Sequence, residues 1–112
     1  MIKMGIQSDA SELLVLFYNK KTSGERTPEM HELLEITHWE RSRTENAVEY
    51  LIARNFIQGA IKKMAGGSRI FIIREIRSEG IDVIEKPKEF KRHFNHEINL
   101  GIYKFSWGVS EK

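Results

Sequence analysis

The stretch TPEMHELLEITHWERSRTENAVEYLIARNFIQG, residues 27–59, holds two helix-period patterns, a short break between them and then a change of period. Thr27-Pro28-Glu29 reads as a helix start, because Thr caps free amides and Pro at the first helical position gives up no hydrogen bond. Met30, Leu33 and Leu34 follow at helical spacing, and the pattern fades after Ile36 into Thr37-His38-Trp39. A second helix is expected over roughly Glu40 to Arg54, with Thr44, Ala47, Val48 and Leu51 on one face. At about 100° per residue the opposite face carries Ser42, Asn46, Glu49 and Ala53, flanked by Arg43 and Tyr50.

Upstream, a helix is expected to begin near Ser8 or Asp9 as N-cap, with Glu12 completing a capping box and Leu13, Leu14, Leu16 and Phe17 forming its apolar face. Lys20 and Lys21 suit its C-terminal dipole, and Thr22-Ser23-Gly24 ends it. Downstream, Ile57 to Met64 and Arg69 to Ile76 are Ile-rich, strand-like runs joined by Ala65-Gly66-Gly67-Ser68, a hairpin signal. Ser78 to Glu85 reads as a short amphipathic helix stopped by Pro87, and Lys88 to Phe94 as a further helical turn or two. His96 to Trp107 reads as strand or irregular chain. Ile98, Leu100 and Ile102 alternate there, Tyr103, Phe105 and Trp107 alternate in the opposite phase, and a bulge near Gly101 explains the switch.

From Asp9 to Glu85 this order of elements resembles the winged helix-turn-helix DNA-binding family, of the prokaryotic transcriptional-regulator type. Thr27 to Leu34 looks like the first helix of the turn motif. Asn55-Phe56-Ile57-Gln58-Gly59 resembles the G-L-I-x-G exit from a recognition helix, with Asn in place of the usual first Gly. Arg77 to Ile84 looks like the L-T-x-x-G segment after the wing. The resemblance implies an α+β fold with a three-helix core and a β-hairpin wing. It divides the chain into a winged-helix domain, 1–87, and a C-terminal extension, 88–112, that packs on the domain or on a dimer partner. The implied function is double-stranded DNA binding as a small transcriptional regulator, with residues 40–54 in the major groove and the 57–76 hairpin as wing.

Groove geometry gives that reading its chemistry. A major groove about 12 Å wide admits one helix, whose N-terminal side chains meet base edges. Arg41, Ser42, Arg43 and Asn46 occupy those positions, with Tyr50 further along. Arg grips guanine with two hydrogen bonds and Asn does so with adenine. Lys62, Lys63 and Arg69, near the Gly66-Gly67 tip, suit phosphate or minor groove, which supplies affinity without sequence information.

Plainer employments stand beside these. Arg41 and Arg43 can pair with Glu45 or Glu49 on a solvated helix face, and Lys62 and Lys63 can shield an edge strand. Trp39 is read as a core plug. The carboxylates of Glu40, Glu45 and Glu49 would repel phosphate, which leaves open an alternative: a protein–protein interaction module on the same scaffold, without DNA binding. The large apolar side chains after Lys88 serve the domain's own core, a homodimer interface or an effector pocket.

Composition narrows the classes. At 112 residues, 40% hydrophobic and 30% charged, the chain is one ordinary globular domain in size and composition. Net charge is only +2, but residues 37–77 carry eight Lys or Arg against four acids, so the positive charge lies where the proposed DNA-facing elements are. The chain lacks cysteine, an apolar run long enough for a membrane span, and a basic, apolar leader at its start, so a cytoplasmic, non-membrane protein is expected. His93, His96 and Glu97 form an H-x-x-H-E cluster without a recognised zinc spacing, and Gly66-Gly67 is too short to cradle a phosphate. The expectation is of a non-enzyme without metal or cofactor.

Overall fold

The computed structural model describes residues 5–95. They form an α+β arrangement of five helices and one antiparallel hairpin: α1 (Ile6–Thr22), α2 (Met30–Thr37), α3 (Arg41–Ala53), β1 (Ile57–Lys63), β2 (Arg69–Ile76), α4 (Ser78–Glu85) and α5 (Pro87–Phe94). The reading of residues 96–107 as strand or irregular chain, with a bulge near Gly101, lies outside the described residues.

The helix α1 is the axis of the core. Ala10, Leu13, Leu14, Val15, Leu16 and Phe17 are all buried, because α3, α4, α5 and β2 pack around it. Its N-terminus differs from the sequence expectation. The helix starts at Ile6 with Gly5 as N-cap, and Asp9 lies inside the first turn, where its amide bonds the Gly5 carbonyl at 3.0 Å. The Asp9 carboxylate is drawn sideways to α3 and so does not cap.

The start of α2 also shifts, from Thr27 to a cap at Glu29. The Glu32 carboxylate accepts a hydrogen bond from the Glu29 N–H at 2.8 Å and receives both nitrogens of Arg26 at 2.9 and 2.6 Å. This doubly anchored carboxylate stops the chain unwinding past Glu29, which leaves Thr27 and Pro28 ahead of the helix. The other end of α2 closes on His38 in the left-handed conformation, φ 60°, whose N–H bonds the Leu34 carbonyl at 2.9 Å.

Helix α3 buries the stripe of Thr44, Ala47, Val48 and Leu51 that its spacing called for, against α1. It ends at Asn55, φ 64°, a conformation that Asn tolerates better than most residues. The hairpin pairs Lys63 with Arg69, Lys62 with Ile70 and Ile61 with Phe71, and turns through Gly66 and Gly67, both at positive φ. The phase of β2 slips in one step, because the register moves two residues on β1 and three on β2 between Ile57 and Gly59.

Two features join the C-terminal helices to this frame. A Cβ built on Gly80 would lie 2.3 Å from the Phe56 carbonyl oxygen, so only Gly lets α4 approach the end of α3 this closely. Pro87 ends α4 and begins α5 at its first position, which places Phe90 and Phe94 four residues apart on one buried face. Their rings meet at 5.0 Å, and Phe94 also lies 6.0 Å from Phe56. Among the described residues, no helix is long and apolar enough to cross a membrane.

Candidate nucleic-acid interface

The stripe buried by α3 fixes what its other side presents. Ser42, Asn46, Glu49 and Ala53 are exposed along one line, and Arg41 stands beside them at the first turn with its side chain 62% exposed. Ser42 and Asn46 have no side-chain hydrogen bond among the described residues. Arg41 lies 3.6 Å from Glu45, one turn along the helix, a loose pairing in which the carboxylate is largely covered and the guanidinium stays accessible. Tyr50 is half-buried at the far end. Its hydroxyl accepts from Gln7 Nε2 at 3.4 Å, and its ring lies 6.5 Å from Phe94 and 5.9 Å beneath the Arg54 guanidinium.

Arg43 is employed differently from its neighbours. Nε and Nη2 each donate to one oxygen of the Asp9 carboxylate at 2.9 Å, and the guanidinium stacks over Trp39 at 4.2 Å from the ring centre. Both arms of the fork are thus occupied inside the molecule, and Asp9, with its side chain only 9% exposed, has its counter-charge. The hydrogen bond to Asp9 raises the Arg43 pKa further above its ordinary value. Neither Glu45 nor Glu49 is its partner. Trp39 is buried, as a core plug requires.

The hairpin contributes the second half of the surface. Arg69 donates from Nη1 to Glu49 at 2.9 Å and from Nη2 to Glu45 at 3.3 Å, and its guanidinium lies 5.1 Å from the centre of the Phe71 ring. Its pKa is raised, first by the hydrogen bond to Glu49. This bridge ties the tip end of the hairpin to the outer side of α3. Lys63 sits directly across the ladder from Arg69, with Lys62 next to it. Both lysines are exposed, and neither has an ion-pair partner among the described residues.

Arg41, Ser42, Asn46 and, through the Arg69 bridge, Lys63 therefore share one accessible region, and Arg43 and Arg69 are held by carboxylates at its edges, while Lys62, opposite Ile70, falls on the other face of the hairpin. Sequence reasoning missed Asp9 as part of this region. Its only local signal was its place ahead of an apolar run, which suits a cap equally well. Another unread feature is the outer face of the hairpin, where Met64, Ile70 and Ile72 are exposed to 44%, 47% and 37%. The signal was the lack of alternation along β2, since both phases of RIFIIREI carry apolar residues.

His93 packs edge-on against Phe56 with ring centres 5.3 Å apart, whereas His96 and Glu97 lie outside the described residues. Among the described residues no group of three or more His, Asp or Glu is arranged to hold a metal ion. No family model, curated protein or solved structure matches the chain.

Proposed function

We propose that the chain is a winged helix-turn-helix protein that binds double-stranded DNA and acts as a small transcriptional regulator. In this reading α2, the residues 38–40 and α3 form the helix-turn-helix, and the β1–β2 hairpin is the wing. The observation that carries it is the accessible region just described: Arg41, Ser42 and Asn46 open on the first turns of α3, with Lys63 beside them through the Arg69 bridge and Lys62 on the other face of the same wing.

The two groups of side chains have different chemistry toward DNA. Arg41, Ser42 and Asn46 are short or forked hydrogen-bonding groups at the end of a helix that a major groove admits, so they address base edges. Lys62 and Lys63 are mobile point charges that suit phosphate. Selection of a preferred duplex, followed by single substitutions, separates the roles. Asn46→Ala is expected to weaken binding to the selected site by about ten-fold or more, within the range of one lost bidentate base contact, while leaving mixed-sequence binding nearly unchanged. Lys63→Ala is expected to weaken both alike. Equal losses on both duplexes for both variants would remove the division of labour.

A homodimer would set two α3 helices on symmetric half-sites. Phe90 and Phe94 are committed to the core, so a dimer made through the extension must draw on the apolar residues between Ile98 and Trp107. A second reading, a protein-interaction module, is favoured by Met64, Ile70 and Ile72 on the hairpin. Apolar side chains gathered on one face find little complementary surface on a phosphate backbone.

A further inference from the structure

We infer that Arg69 serves DNA binding as the counter-charge of α3 and not as a DNA contact, an inference that rests on the reading above. The difficulty it resolves is visible on α3 itself. Glu45 and Glu49 are one turn apart on the side that the open residues Arg41, Ser42 and Asn46 occupy, and two uncovered carboxylates there would repel a polyanion.

Arg69 covers both. One of its terminal nitrogens goes to each carboxylate, at 2.9 and 3.3 Å, and the guanidinium is kept over Phe71. Arg41, 3.6 Å from Glu45, adds a second positive charge beside it. The Arg69 side chain is 24% exposed, so a phosphate would have to displace two carboxylates to reach it. Among the described residues Lys62 and Lys63 have no carboxylate partner. The charge of Arg69 is spent inside the protein, and its gain to binding is that α3 meets DNA without a net negative stripe. The same bridge holds Lys63, its ladder partner, at the side of α3.

The test uses the full chain and a mixed-sequence duplex of about two helical turns as probe, with binding followed by fluorescence anisotropy across salt concentration. Arg69→Gln should bind about ten-fold more weakly than the unaltered protein, because two carboxylates are uncovered. Adding Glu45→Gln and Glu49→Gln to it should restore affinity to within about three-fold, with the salt slope unchanged. Arg69→Lys retains one cation at the site, should lose less than Arg69→Gln, and serves as the test if the glutamine variant melts early by circular dichroism. A triple variant that stays as weak as Arg69→Gln, with a slope smaller by about 0.9, would identify a phosphate contact at Arg69 and overturn the inference. So would an Arg69→Gln protein that is folded and binds normally. Absence of binding by the unaltered protein would instead overturn the DNA-binding reading on which the inference rests.

Discussion

Arg43 and Asp9 are each other's solvation. The carboxylate is nearly enclosed and the guanidinium only 33% exposed, so removing one partner strands the other in a place that water reaches poorly. Arg43→Gln is expected to lower stability by about 2 kcal/mol, less than a fully buried pair because one side remains open to solvent. The Asp9→Asn, Arg43→Gln double variant should recover part of that loss, measured by urea unfolding as a double-mutant cycle. Glu32 offers a second check. The hydrogen bonds from Arg26 and then from the Glu29 amide hold its carboxyl at about 2, below its ordinary 4.5. A depressed folded-state pKa means that its stabilising effect is present above pH 4.5 and is lost as pH falls from there toward about 2. Carbon-13 titration of the Glu32 carboxyl should show the low midpoint, and Arg26→Gln should move it back toward the ordinary value.

Elements differ in how far their own residues determine them. The buried and exposed faces of α3 were legible because helical spacing alone assigns Thr44, Ala47, Val48 and Leu51 to one side and Ser42, Asn46, Glu49 and Ala53 to the other. The hairpin was legible from its Gly-Gly turn between Ile-rich runs. Helix starts were less so. Asp9 and Thr27 both have cap chemistry, but tertiary partners decided: Arg43 claimed Asp9 from 34 residues away, and Arg26 with Glu32 moved the α2 cap to Glu29. Arg69 was read as a wing cation for the same reason, since its bonds to Glu45 and Glu49 cross 24 and 20 residues. Gly80 depends on packing that sequence spacing does not reveal. Gly80→Ala would ordinarily favour a helix by about 1 kcal/mol, yet here the added methyl meets the Phe56 carbonyl, and net destabilisation of about 1–3 kcal/mol is expected. Urea unfolding of the variant measures it, and a gain in stability would show that α4 does not sit against Phe56.

At the scale of the molecule, α5 completes the core beside α1 and α4, and its phenylalanines reach Phe56 and the neighbourhood of Tyr50. Phe94→Ala should therefore cost about 3–5 kcal/mol of unfolding free energy, the range for a buried aromatic, and loosen the far end of α3. A loss below about 1 kcal/mol would mean that α5 is not part of the folding unit. The same assembly places Arg69 over Glu45 and Glu49 and leaves Lys63 open beside them, so two of the carboxylates on α3 have a counter-charge despite the small net charge of the molecule. Binding of the purified full chain to mixed-sequence duplex DNA at about 50 and 200 mM salt tests this account most directly. The account predicts measurable binding at the lower salt that weakens steeply at the higher, as released counterions require. Absence of binding even at the lower salt would contradict it and transfer the function of this surface to a protein partner.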